Sequence, residues 1–348
     1  MFTINTMQKN LCFFKKVIML SCFLWSMSGH ANPQETSQPH WVTIPLGVAG
    51  GLEEGNLSAY LLAPQDSTDF ICLDAGTVYS GLLVAQQAGS FAKIAPENNQ
   101  NVVGDVLRSH IKAYLISHAH LDHVAGLVIN ATDDISKPIM GLPAVLADIQ
   151  NHLFNWRIFP NFGDVGVQPL LKKYHYIDLP TQEAVTIPQT GMHVTAFPLS
   201  HGNNYASTAF LIESGGFYAL YLGDTGADSV ENTTTLQQLW IKIAPLIKSQ
   251  QLKGLFIESA YSNERPSKQL YGHLTPQLVI DTLTNLAQQV DSEHTENALR
   301  EITVIITHIK PVLEAQVNIR ETIRAQLSAA NHLGIRFILA EQGQKIEF

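Results

Sequence analysis

Four side chains of the kinds that bind metals lie within six residues of this sequence, in the segment HAHLDH at positions 118–123. The apolar run 111–116 precedes the segment and predicts a buried strand, and the apolar-rich run 124–129 that follows predicts a helix. The strand end would hold the first two histidines in a rigid loop, with the aspartate and the third histidine on the first helical turn. Neutral imidazoles suit zinc and the carboxylate suits a second cation, so the motif predicts ligands for two adjacent metal positions.

Isolated histidine and aspartate residues follow three other predicted strands. His201, Asp224 and His308 each stand just beyond an apolar run of strand length, beside glycine or threonine. Loops at strand ends are where α/β folds place their functional sites. Because a carboxylate has two oxygens, Asp224 can bridge two metals. These three residues are therefore the candidates to complete a two-metal site.

The remaining pattern predicts the elements that would position these side chains. Ten apolar runs have the length of strands: 41–48, 60–62, 70–73, 111–116, 193–197, 208–212, 217–222, 255–257, 302–306 and 336–339. Apolar residues at three- and four-residue spacing predict one helix that begins at Pro276 and another that carries Ile319 and Leu327 and ends near Gly334. Strands that alternate with helices predict an α/β fold with sheets covered by helices.

The composition argues against several classes of protein. With 348 residues, of which 45% are hydrophobic and 15% charged, the chain does not resemble a disordered, collagen-like or disulfide-rich protein. Asp and Glu outnumber Lys and Arg by 30 to 21, which gives a formal net charge of −9. The longest basic runs are the pairs Lys15-Lys16 and Lys172-Lys173, whereas proteins that follow a nucleic-acid backbone cluster their basic residues. A long nucleic-acid substrate is therefore disfavoured.

The N-terminal segment 1–31 predicts a secretory signal peptide that would be removed from the mature protein. Three lysines precede an apolar run of 11 residues, 17–27, which is too short to span a bilayer comfortably, and Ala31 ends a small-residue cleavage pattern. A polar linker, 32–40, and a single domain, 41–348, would follow. Losing three of 21 basic residues and no acidic ones gives the mature chain a net charge of −12. We therefore expect a periplasmic or secreted protein without stable membrane insertion.

Cleavage at that point would also remove two of the three cysteines and leave Cys72 alone. An exported protein with one cysteine has no internal disulfide. Cys72 lies in a predicted buried strand, so we expect it to act as a small core side chain.

The full set of motifs resembles the metallo-β-lactamase fold superfamily, and in detail it is similar to the class II 3′,5′-cyclic-nucleotide phosphodiesterases of fungi and bacteria. Residues 118–129, HAHLDHVAGLVI, carry the most specific match. Shorter matching segments lie at 56–60, 74–77, 257–259, 272–276 and 307–311. The resemblance spans residues 47–348 and therefore covers the chain as one domain.

This resemblance implies a four-layer αββα sandwich with two divalent metal ions at one edge of the two sheets. One metal would be held by His118, His120, His201 and Asp224. The other would be held by Asp122, His123, His308 and the shared Asp224. Zinc is the favoured metal because imidazoles make up most of these ligands.

The resemblance also implies the reaction, which is hydrolysis of 3′,5′-cyclic AMP, with cyclic GMP as a second candidate substrate, to the nucleoside 5′-monophosphate. The metals would activate a water that attacks phosphorus, and the departing ribose oxygen would need a proton. His273 is the candidate proton donor and Glu258 the residue that orients it, so the catalytic set is His273, Glu258 and the metal ligand Asp122. The expected partner is a small cyclic nucleotide, and a homodimer is left open.

Three alternatives carry the same metal-binding motif or part of it. A tRNA 3′-processing endonuclease uses the same HxHxDH set, but the acidic mature chain and the export signal count against it. A β-lactamase or thioester hydrolase is disfavoured because such sites often differ at the positions of Asp122 and His308. A non-catalytic zinc-binding or nucleotide-binding module is disfavoured because the ligand set includes a bridging carboxylate.

Overall fold

The structure is a computed structural model that describes residues 40–96, 101–202 and 205–348. The predicted signal peptide, 1–31, and all but the last residue of the predicted linker lie outside the described residues. The described residues belong to one compact unit. None of their helices is both long and apolar enough to cross a membrane.

Two sheets of seven strands each form the centre of the described structure. In spatial order the first sheet contains β14 (Ile346–Glu347), β1 (Trp41–Gly47), β2 (Ala59–Pro64), β3 (Phe70–Leu73), β4 (Ile111–Leu115), β5 (Lys137–Gly141) and β6 (Tyr174–Asp178). The second contains β13 (Arg336–Leu339), β12 (Thr303–Thr307), β11 (Leu252–Glu258), β10 (Phe217–Tyr221), β9 (Ala206–Ser214), β8 (Met192–Ser200) and β7 (Ala184–Ile187).

Helices cover the outer faces of both sheets. They are α1 (Tyr79–Gln87), α2 (Val102–Asp105), α3 (Leu121–Asn130), α4 (Pro143–Asp148), α5 (Asp228–Glu231), α6 (Thr235–Lys248), α7 (Pro276–Val290) and α8 (Ile319–Ala330). Short π-helical segments at Val106–His110 and Ile149–Leu153 and a 3₁₀ segment at Ser267–Gln269 complete the described helices. Helix α7 begins where the sequence predicts, because Thr275 accepts a hydrogen bond from the backbone N–H of Leu278 and Pro276 takes the first helical position.

The buried apolar side chains form two clusters, the first of which fills the space between the sheets and also includes Leu82 of α1 and Leu146 of α4. Between the sheets, Tyr60 of β2 packs against Tyr221 of β10 and Phe256 of β11, with ring centroids 5.8 Å apart in both pairs. A second cluster lies between the second sheet and α6, α7 and α8, and includes Trp240 and Leu283. The predicted four-layer αββα sandwich is therefore confirmed.

Parallel pairing brings the site-bearing strand ends to one edge of each sheet. In the first sheet, β3, β4, β5 and β6 run parallel, and in the second, β10, β11, β12 and β13 do so. Strand β8 also runs in the direction of β10, because both are antiparallel to β9. The carboxyl ends of β4, β8, β10, β11 and β12 consequently meet where the two sheets adjoin. The predicted site residues other than His273 lie at or just beyond these ends or, for Asp122 and His123, in the first turn of the helix that follows β4, and His273 lies in the loop between β11 and α7.

Candidate active site

The first group of metal-binding atoms is formed by three histidines from two loops. His118 and His120 follow β4, and His201 directly follows β8. Nδ1 of His120 lies 3.1 Å from Nε2 of His118 and 3.3 Å from Nε2 of His201. Three imidazole nitrogens that face one another in this way form the kind of donor set that zinc prefers.

The second group contains Asp122, His123 and His308. Asp122 and His123 lie in the first turn of α3, and His308 follows β12. Oδ2 of Asp122 lies 3.7 Å from Nε2 of His308, and the ligand-type atoms of all three residues lie within 4.8 Å of one another. One carboxylate and two imidazoles suit a divalent cation.

The carboxylate of Asp224 lies between the two groups. Its Oδ2 is 3.1 Å from Nε2 of both His123 and His308, and 3.9 Å from Nε2 of both His118 and His201. Asp224 is buried, and among the described residues its Oδ1 has no hydrogen-bond partner. Nε2 of His308 is likewise buried and without a hydrogen bond in the described structure. Because buried polar atoms are rarely left unpaired, these two atoms fit the role of metal ligands.

Hydrogen bonds on the far ring nitrogens orient four of the five histidines. These bonds join Nδ1 of His118 to Oγ of Ser117 (3.0 Å), Nδ1 of His201 to the Gly272 carbonyl (2.9 Å), Nδ1 of His123 to Oδ2 of Asp74 (2.7 Å) and Nδ1 of His308 to Oγ of Ser58 (2.8 Å). Metal-binding histidines in proteins almost always have such a second partner, which fixes the ring and its tautomer. The arrangement therefore supports metal binding through the opposite nitrogens.

Asp74 is a site residue to which the sequence analysis gave no role. It is fully buried at the end of β3, and its carboxylate accepts hydrogen bonds from the backbone N–H and hydroxyl of Ser117, from Tyr221 and from His123. Its position after an apolar strand is the same signal that identified His201, Asp224 and His308. Ser58 lies in the matching segment 56–60, but its contact with His308 joins residues 250 positions apart and no local pattern predicts it.

Backbone geometry lets the loops approach the imidazoles closely. A Cβ atom at Gly50 would lie 2.5 Å from the His308 ring, and a Cβ at Gly272 would collide with the backbone at His201 and Gly202. Gly272 has φ 81°, and His308 has φ 53°, a left-handed conformation that is costly for a residue with a side chain. The site therefore requires glycine at positions 50 and 272.

Burial and charge set the protonation of the cluster. Burial, reinforced by His123, holds the pKa of His118 well below its usual range, and burial has the same effect on the pKa of His308. Burial alone would raise the pKa of Asp224, but the charge of His123, whose own pKa Asp224 and Asp74 hold well above its usual range against the effect of burial, outweighs it and holds the pKa of Asp224 well below its usual range. The cluster therefore contains an ionised carboxylate and at least two neutral imidazoles, the forms that bind metals.

His273 and Glu258 form a buried pair beside this cluster. Oε1 of Glu258 accepts hydrogen bonds of 2.9 Å from Nδ1 of His273 and from the backbone N–H of Thr225, and its Oε2 accepts one of 3.2 Å from the backbone N–H of Leu274. Burial opposes the charged imidazolium, but Glu258 outweighs burial and raises the pKa of His273. Nδ1 of His273 lies 3.8 Å from Oδ2 of Asp224, so the structure places every residue of the predicted site in one cluster.

His120 is the one histidine of the donor groups whose far nitrogen has no hydrogen bond to the described residues. Its ring instead stacks on Tyr205, with centroids 4.7 Å apart and planes 9° apart. The Tyr205 hydroxyl is fixed in turn by the backbone N–H of Ala119 and by Oδ2 of Asp148, each at 3.3 Å. Stacking on Tyr205 therefore orients His120 in place of the hydrogen bond that each of the other four histidines has. Tyr205 was not predicted from the sequence.

We expect Tyr205→Leu to weaken metal binding by about 10- to 100-fold, the effect typical of losing an outer partner of a metal-binding histidine. Tyr205→Phe should retain most of the affinity because it keeps the stacked ring. Competition with a zinc-chelating dye measures both variants without reference to activity. Equal affinity in Tyr205→Leu and the wild type would show that stacking does not hold His120.

Comparison with solved structures identifies the fold. The chain superposes on the unliganded yeast phosphodiesterase PDE1 with a TM-score of 0.74 and 23% identity, over 89% of this chain and 100% of that one. It superposes on the metallo-β-lactamase fold protein YhfI from Bacillus subtilis with a TM-score of 0.58 and 14% identity, over 88% of this chain and 99% of that one. The protein therefore has the metallo-β-lactamase fold.

Sequence comparison identifies the family within that fold. The sequence model of the class-II cAMP phosphodiesterase family matches residues 38–343 of this chain. A relative named 3′,5′-cyclic-nucleotide phosphodiesterase, from Aliivibrio fischeri, is 40% identical over 308 residues, which are 88% of this chain and 92% of the relative. The chain belongs to the class-II cAMP phosphodiesterase family, a class of metal-dependent hydrolases.

Proposed function

We propose that the protein is a binuclear-metal phosphodiesterase that opens 3′,5′-cyclic AMP to the 5′-monophosphate. Family membership supports the class of reaction, and the name of the Aliivibrio fischeri relative supports a cyclic nucleotide as the substrate. Cyclic GMP is a second substrate in this proposal, because the reacting phosphodiester is the same in both nucleotides.

The observation that carries the two-metal proposal is the position of Asp224. Its Oδ2 lies within 4 Å of Nε2 of two histidines from each donor group, His118 and His201 on one side and His123 and His308 on the other. A shared carboxylate between two adjacent metals lowers the repulsion between their charges, which is the arrangement that this position of Asp224 supports.

Each donor group would hold one metal. His118, His120 and His201 would hold the first, Asp122, His123 and His308 the second, and Asp224 would contact both. Divalent cations held there would supply Lewis-acid polarisation of the phosphodiester and activation of a water nucleophile. We propose zinc, because five of the seven side chains are imidazoles.

The residues around the donor groups fix the geometry and handle the proton. Asp74 binds Nδ1 of His123, and Ser58 binds Nδ1 of His308. Nε2 of each histidine is thereby directed at Asp224. Oε1 of Glu258 accepts a hydrogen bond from Nδ1–H of His273, so in the protonated imidazole the Nε2–H remains to be donated. An unprotonated ribose oxygen is a poor leaving group, because it departs as an alkoxide. We assign His273 as the donor that protonates it.

A parallel assay tests the proposed substrate class. Purified protein with added zinc would be offered cyclic AMP, cyclic GMP, a β-lactam and a precursor tRNA under the same conditions. We expect turnover of the cyclic nucleotides and none of the β-lactam or the tRNA. Cleavage of the precursor tRNA without cyclic AMP turnover would replace this proposal by the endonuclease alternative.

We also propose that the protein is exported and cleaved after Ala31. The signal pattern in residues 1–31 supports export, and the family match begins only at residue 38. Mass spectrometry of the periplasmic or secreted fraction should find Asn32 as the first residue. Recovery of the chain with Met1 intact from the cytosol would overturn this assignment.

A further inference from the structure

One loop contains the proposed proton donor together with a group of side chains that the proposed chemistry does not use. This loop, residues 259–275, connects β11 to α7 and carries His273. It also carries Tyr261, Arg265 and Tyr271, which we call the Arg265 cluster. The Tyr261 and His273 rings contact each other edge to face, with centroids 5.8 Å apart, so the cluster lies directly beside the proposed proton donor.

The guanidinium of Arg265 lies against both tyrosine rings. Its Cζ is 4.7 Å from the centroid of Tyr261 and 5.9 Å from that of Tyr271, distances at which a cation is attracted to an aromatic face. Nε of Arg265 donates to the Gln269 carbonyl at 3.0 Å, which fixes the side chain. No carboxylate of the described residues forms an ion pair with Arg265, so its charge is not neutralised within this part of the chain.

Tyr271 is exposed although it lies next to the buried site. Its side chain is 63% exposed, whereas Gly272 and His273, the next two residues, are buried against the metal ligands. Its backbone has φ 51°, a conformation that costs free energy for a residue with a bulky side chain. Strained residues persist where surrounding contacts hold them and often lie at functional sites. The exposed ring of Tyr271 is available to bind a flat ligand.

We propose that Tyr271 and Arg265 form a stacking surface for the purine base of the cyclic nucleotide. This inference rests on the proposed function, in which His273 protonates the 3′ oxygen of the ribose. That oxygen and the base are substituents of the same small furanose ring, so a base bound with O3′ at His273 lies over neighbouring residues of the loop. Aromatic rings and arginine planes stack on bases without selecting strongly among them, so the surface accepts adenine and guanine alike.

Inhibition constants for 5′-AMP and ribose 5-phosphate test the proposal, because ribose 5-phosphate has a hydroxyl in place of the adenine base. Loss of base stacking by alanine substitution costs roughly 5- to 150-fold in binding. We therefore expect Tyr271→Ala to weaken inhibition by 5′-AMP by about that factor and to leave inhibition by ribose 5-phosphate unchanged. The KM for cyclic AMP should rise by a similar factor with little change in kcat.

Conservative variants separate stacking from charge. Tyr271→Phe should retain wild-type selectivity for 5′-AMP, because it keeps the ring. Arg265→Lys should lose part of it despite retaining the positive charge, because lysine has no planar group to stack. Arg336→Lys is the matched control, since Arg336 is an exposed arginine that begins β13, at the opposite end of the parallel strands from the site.

The outcomes are distinct. Equal weakening of both inhibitors in Tyr271→Ala would assign the cluster to support of the loop and overturn the stacking surface, as would unchanged inhibition by 5′-AMP. If the wild-type protein hydrolyses cyclic AMP and Tyr271→Ala binds 5′-AMP normally, this inference alone fails. If the wild-type protein does not hydrolyse cyclic nucleotides at all, the proposed function itself fails.

Discussion

His120→Ala and His308→Ala are each expected to reduce cyclic AMP hydrolysis by at least about a thousand-fold. Each metal contributes several kcal/mol of transition-state stabilisation, and each loss of about 1.4 kcal/mol is a factor of ten in rate. The two histidines belong to different donor groups, so the two variants remove different metals. Steady-state kinetics at saturating zinc, combined with metal analysis of each variant, measures both effects.

His175→Ala is the matched control for these substitutions. His175 lies on β6, is exposed, and contacts Ser136 and Asp164 rather than the donor groups. The control variant should retain wild-type activity and metal content. A His308→Ala protein with full activity would contradict the two-metal account, because no other imidazole in the described structure occupies its position beside Asp122 and Asp224.

His273→Ala is expected to lose about 10²- to 10⁴-fold in rate on cyclic AMP, the typical contribution of a positioned general acid. The loss should be far smaller on a nitrophenyl phosphodiester, because nitrophenolate leaves without protonation. Rates on the two substrates, measured on the same preparation, give the comparison. Metal content should stay unchanged, since His273 is assigned to the proton and not to a metal.

Two other results would reassign His273. Equal losses on both substrates would place it in phosphate binding or in support of the loop. Loss of metal would make it a ligand, a role that its position 3.8 Å from Oδ2 of Asp224 makes chemically accessible. Glu258→Gln provides a further comparison, because it removes the charge that raises the pKa of His273 while leaving an oxygen that can accept its hydrogen bond.

The strands that position the site were predictable because each is a short apolar run followed by a polar ligand. Phe70–Leu73 was predicted with the bounds that the structure shows, and the predicted strand 111–116 differs from β4 by one residue. The first turn of α3 carries Asp122 and His123 as predicted. Local sequence sufficed here, since burial on both faces leaves an uninterrupted apolar run.

Other elements were missed because long-range contacts make them stable. Strand β5, Lys137–Gly141, begins with a charged residue followed by proline, a pattern that does not predict a buried strand. Lys137 is buried there because its Nζ contacts Asp134 at 2.8 Å and donates to the Leu107 carbonyl. Helix α6 was also missed, and it contains Pro245. Both elements depend on tertiary contacts, which a local sequence pattern does not predict.

In the site, too, residues with a local sequence signal were predicted, and residues placed by long-range contacts were not. All seven predicted ligands lie in one cluster because each stands at a strand end or in the helical turn that follows. The residues that orient them, such as Ser58 and Tyr205, are small or aromatic side chains of kinds that occur throughout the sequence. Their contacts with His308 and His120 form only when the loops meet in the folded chain.

Metal content measured together with activity tests the two-metal claim most directly. The wild-type protein would be analysed by mass spectrometry of its metals while zinc is removed in steps with a chelator and cyclic AMP hydrolysis is followed in each sample. The account predicts close to two zinc ions per chain in fully active protein, with activity lost when the first of the two is removed. Full activity in protein that retains a single metal per chain would contradict it.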